Sequence, residues 1–122
     1  MTEETILTLL HRGTSLAMEV PASTDDRIAW VGVYPLHRGS PEGTELRRRH
    51  GISADESDHV YHVRRFEMSR ALSKMDVWFS ENDLENKQQA VVVGDGDLRR
   101  KLLEFGAQLD QLQQHFQTDY PI

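Results

Sequence analysis

Leu98, Leu102, Phe105, Leu109, Leu112 and Phe116 recur at alternating four- and three-residue steps, the spacing of a single apolar stripe on a helix. The apolar run Ala90-Val91-Val92-Val93 stands before them, separated by Gly94-Asp95-Gly96-Asp97. That order predicts a buried strand, a tight turn with Asp95 or Asp97 as helix cap, and a long C-terminal helix over residues 97–117. Gly106 falls inside this helix, where glycine costs about 1 kcal/mol relative to alanine. It therefore points to a neighbour passing close by.

Upstream, Thr2 is placed to cap a short helix whose apolar face is Ile6, Leu9 and Leu10 and whose stop is Gly13. Leu16, Met18 and Val20 alternate as in a half-buried strand. After the breakers at 21–26, residues 28–34 form a more apolar strand, expected nearer the sheet centre. Ser40, Pro41 and Gly51 frame one short surface helix with a single strong apolar residue, Leu46. Val60, His62, Arg64, Phe66 and Met68 keep period two, which favours a strand to about Ser69 followed by a short helix or turn. Residues 76–79 read as another strand, 80–86 as a loop and 89–93 as the strand before the final helix.

These elements make a single α+β domain of 122 residues. Its antiparallel or mixed sheet of about four or five strands is packed by the long C-terminal helix and flanked by the short N-terminal one. Segments adjacent in sequence are expected to pair.

The formal charge of −6 speaks against nucleic acid, whose binding rests on cations that displace counterions from phosphate. The charge is uneven, because residues 40–74 hold six acids against seven bases while 75–122 hold nine against four. With no cysteine, disulfides and thiolate chemistry are excluded. The apolar stretch at 6–10 is too short for export or a membrane span, so a cytoplasmic location without membrane association is expected.

Candidate chemistry is diffuse. His59 and His62, near Asp55, Glu56 and Asp58 and with His50 as a third imidazole, offer metal-ligating atoms. On a strand, however, the two would point to opposite sides, and no metal or cofactor is assigned. The Gly94–Asp97 turn matches neither a dinucleotide nor a P-loop pattern, and its aspartates oppose an anion. No nucleophile elbow is present, so no catalytic residue is assigned.

Two surfaces stand out instead. Asp76, Glu81, Asp83 and Glu85 surround Trp78, an aromatic inside an anionic rim, as a protein-binding surface offers a basic partner. Arg47, Arg48 and Arg49 form the dense basic feature. The expected function is therefore a small acidic, non-enzymatic module of the inhibitor, immunity or adaptor kind that covers a basic surface on another protein. Two alternatives are kept. One is a dimeric, chaperone-like regulator using the C-terminal stripe. The other is a small enzyme or ligand-binding domain built on His50, His59, His62 and the arginines.

Overall fold

The computed structural model describes residues 2–36, 41–49, 51, 59–73 and 83–114, with the backbone alone at 41–43, 47 and 73. In chain order the elements are α1 (Glu3–His11), β1 (Leu16–Val20), β2 (Arg27–Pro35), α2 (Pro41–Arg49), β3 (Val60–Ser69), α3 (Arg70–Ser73), β4 (Glu85–Val93) and α4 (Asp95–Glu104). A 3-10 turn (Leu109–Gln111) and β5 (Gln113–Gln114) follow. Five strands form one antiparallel sheet in the order β4-β3-β2-β1-β5, an α+β arrangement as the patterning predicts. The most apolar strand, β2, occupies the centre.

Period two sorts the side chains onto two faces. Leu16, Val20, Ala29, Val31, Val33, Tyr61 and Val63 point to one face, where Ile6 and Leu10 of α1 and Leu98 and Leu102 of α4 complete the main core. Trp30 and Phe66 lie opposite each other on the second face and pack with Leu84.

Both long helices on the core side stop by the same device. After α1, the Gly13 N–H bonds the Leu10 carbonyl at 2.9 Å and the Thr14 N–H bonds Leu9 at 3.0 Å; after α4, Gly106 bonds Leu103 at 3.1 Å and Ala107 bonds Leu102 at 2.8 Å. These paired bonds satisfy the last carbonyls of each helix and need a left-handed residue, supplied by Gly13 at φ +93° and Gly106 at φ +83°. At its start, α1 is capped as expected, the Thr2 hydroxyl accepting from the Thr5 N–H at 3.2 Å.

The C-terminal helix is therefore shorter than its stripe implies. Gly106 ends it because of its backbone angle, with no close neighbour: a Cβ there would sit 4.0 Å from Val20 Cβ. Leu109 and Leu112 still reach the main core, from the 3-10 turn and the segment leading to β5. Two apolar residues three apart are buried equally well by either geometry. Phe116 and residues 76–79 lie outside the described residues.

Candidate functional site

Of the acidic positions singled out by sequence, Asp76 and Glu81 lie outside the described residues, as does Trp78. Glu85 opens β4, which begins earlier than expected and takes in residues 85–88, and Asp83 lies two residues before it. Glu85 accepts from Arg27 Nε at 2.6 Å, with its side chain about half exposed. On α2, Glu45 pairs with Arg48 at 2.7 Å and Arg49 at 3.3 Å, and the Arg48 guanidinium holds the Glu45 carboxyl below the usual carboxylate range. The side chain of Arg47 is not described.

Among the described residues β4 has one neighbour, β3, and so forms an edge of the sheet. The register settles which of its backbone groups point outward. Leu36 donates to the Val60 carbonyl and Gly94 to the His59 carbonyl, so even-numbered residues of β3 bond toward β2 and odd-numbered ones toward β4. With Tyr61 opposite Val92 and Val63 opposite Ala90, the inward groups of β4 belong to Gln88, Ala90 and Val92. Those of Gln89, Val91 and Val93 face away from the sheet. Beside this edge runs a groove of about 400 Å³, lined by Val91, Val92 and Val93 of β4 and by Asp97, Arg100, Lys101 and Glu104 of α4. Asp97 pairs with Arg100, and Lys101 with Glu104, along its helical wall.

A second polar centre is built around Glu67, whose side chain is fully buried. Its Oε2 accepts from the Ser23 N–H at 2.8 Å and from Arg65 Nη2 at 3.1 Å, and its Oε1 from the Ser23 hydroxyl at 2.6 Å and Asn86 Nδ2 at 2.7 Å. Burial opposes the charge, but the bonds from Ser23, Asn86 and Arg65 outweigh it and hold the carboxyl at about 2. Asn86 reaches Glu67 from a bulge, where the ladder shifts between Arg65 and Glu67 and Asn86 takes φ +49°. Sequence reading missed this group. The available signal was a carboxylate on the face that also carries Ala29 and Val31.

A third cluster joins α1, β3 and α4. The Tyr61 hydroxyl donates to Asp95 Oδ1 at 2.6 Å, and Asp95 Oδ2 lies 3.2 Å from His11 Nε2. The His59 ring stacks on His11 with centroids 3.8 Å apart. Burial works against the charge of Asp95, but the bonds from Tyr61 and His11 prevail and keep its carboxyl below the usual range. Burial, reinforced by the bond to Asp95, pushes the Tyr61 phenol up. Asp95 thus makes no helix cap: Gly94 is the N-cap residue, without a side-chain bond, and Asp95 and Asp97 sit in the first turn. His62, on the other face of the sheet, lies 3.0 Å from Gln89 Oε1, so the strand separates it from His59 as its parity requires. His50 lies outside the described residues, among which no group of three or more metal-ligating side chains converges.

This cluster makes an asymmetric prediction. Asp95→Ala leaves the buried Tyr61 hydroxyl without its acceptor and is expected to cost about 1–3 kcal/mol, whereas Tyr61→Phe removes the donor and leaves a partly solvated carboxylate, for about 1 kcal/mol or less. Thermal denaturation of both variants checks the order.

No family model, curated protein or solved structure matches the chain.

Function must accordingly be argued from these three places. Glu67 has both oxygens filled from within the chain, which suits it to holding the loop before β2 against the β3–β4 bulge. The Tyr61–Asp95–His11 chain fastens the end of α1 to the start of α4 and exposes about a third of the His11 side chain. Among the described residues, the backbone groups of Gln89, Val91 and Val93 on β4 turn away from the sheet. Among the described residues no helix is long and apolar enough to cross a membrane.

Proposed function

We propose that the chain is a non-enzymatic protein-binding module of the inhibitor, immunity or adaptor kind, which covers a basic surface of another protein with the acidic segment leading into β4. What supports the reading is the position of Asp83 just before, and Glu85 at the start of, a strand that is outermost among the described ones and whose first half, residues 85–89, is exposed. Acidic side chains there speed encounter with a cationic surface, and an adjoining strand supplies contact once the partner has arrived. The net charge of −6 acts in the same direction.

The test is affinity capture from the native host, mass spectrometry of the captured protein, and titration of that purified partner. The triple variant Glu81→Lys, Asp83→Lys, Glu85→Lys is expected to bind at least tenfold more weakly with an unchanged melting temperature. Raising the salt concentration should weaken the wild type. Undiminished binding by the triple variant, or a partner without a basic surface, overturns the reading.

A second reading, ligand binding or catalysis at the imidazoles, is favoured by one observation: Asp95, itself held by Tyr61, orients the partly exposed His11 ring, with His59 stacked beside it.

A further inference from the structure

We infer that the cavity beside Glu67 binds a phosphate group, held by Arg65 of β3 and by Lys87 and Gln88 of β4. The inference goes beyond the protein-binding reading and stands without it.

The cavity has a volume of about 430 Å³ and is lined by Ser23, Arg65, Glu67, Asn86, Lys87 and Gln88. All six are polar, so the cavity takes a polar ligand. Hydrogen-bonding capacity decides which kind. Glu67 is the one carboxylate in the lining, and both its oxygens are already filled by Ser23, Arg65 and Asn86. Donors, by contrast, are left over. The Arg65 side chain is only 16% exposed and spends Nη2 on the Pro21 carbonyl and on Glu67, each at 3.1 Å. Its Nε and Nη1 meet no acceptor among the described residues. Gln88 stands opposite Arg65 in the ladder, and its side-chain amide makes no bond to a described residue. Lys87 gives the lining a second cation against the single carboxylate.

Covered guanidinium N–H groups without acceptors call for a ligand or an ordered water. A surplus of donors together with a surplus of positive charge makes that ligand an oxyanion. The guanidinium narrows the choice further. Two parallel bonds to a carboxylate use Nη2 with either Nε or Nη1, and both hydrogens of Nη2 are already spent. Single bonds from Nε and Nη1 diverge, and further donors stand on the neighbouring strand, which suits a group that accepts on several sides. A phosphate, with its three or more acceptor oxygens in a tetrahedron, has that shape.

The probe is inorganic phosphate, titrated at constant ionic strength into the intact, isotope-labelled protein and followed by NMR, with phenyl phosphate and acetate as comparisons. The Arg65 Nε–H and Gln88 side-chain amide resonances are expected to shift together and to saturate, with acetate at least tenfold weaker. Gln88→Glu places a carboxylate in the cavity without touching the bonds to Glu67. It should keep the wild-type melting temperature and lose at least tenfold in phosphate affinity. The wild-type resonances decide the matter even where Gln88→Glu proves unstable. Tighter binding of phenyl phosphate assigns the site to the phosphate end of a larger molecule, and tighter or equal binding of inorganic phosphate assigns it to the free ion.

Shifts that do not saturate, equal affinity for acetate, saturation confined to other residues, or full affinity in a folded Gln88→Glu variant overturn the inference.

Discussion

Replacing Glu67 by alanine is expected to destabilise the protein by about 3–5 kcal/mol, the range for removing one member of a buried, hydrogen-bonded charge pair. The reason lies as much in the partners as in the carboxylate. Ser23 donates from both its N–H and its hydroxyl, Asn86 from its amide and Arg65 from its guanidinium, and all four bonds end on two oxygens with no exposed surface. Without them, donors from one loop and two strands face a cavity. Glu67→Gln keeps the shape but turns an NH2 toward one of these donors and should cost less, about 2 kcal/mol.

The same group makes stability depend on acidity in a defined direction. Its folded-state pKa, about 2, lies below the ordinary value of 4.5. The contribution is therefore complete above about pH 4.5 and is lost as the pH falls through 2. Urea denaturation followed by tryptophan fluorescence, repeated from pH 6 to pH 2, measures both effects. A loss below about 1 kcal/mol for Glu67→Ala would show that water replaces the carboxylate.

The second large effect concerns the C-terminal stripe. Leu102→Ala should cost about 2–5 kcal/mol, because the side chain is fully buried against the sheet and the sheet cannot collapse into the space left. Leu103, one residue on, is 62% exposed, and Leu103→Ala should fall within about 0.5 kcal/mol of wild type. Chemical denaturation of the two variants compares them directly. A coiled-coil dimer seamed along the stripe would instead make the Leu102→Ala loss depend on protein concentration.

What was legible in the sequence was local. The Thr2 cap, the stop at Gly13 and the placement of β2 at the sheet centre follow from hydrogen-bonding groups and apolar periods within a few residues of one another. The C-terminal helix shows where such reading stops. Leu98, Leu102, Leu109 and Leu112 keep helical spacing, yet the helix ends before Gly106, because burial of Leu109 and Leu112 does not require that they be helical. Gly106 was visible, but its left-handed angle was not.

The polar centres lay beyond that range altogether. Glu67 meets Ser23 across 44 residues and Asn86 across 19, while His11 meets Asp95 across 84. Each of these residues is ordinary where it stands in the chain, and only strand register brings it to its partner. Composition and period determined an acidic α+β chain, because hydrophobic burial is governed by which residues alternate and how often. Which carboxylates are buried, and which strand lies outermost among the described ones, was decided by the pairing order of the strands, a property of contacts between segments far apart in sequence.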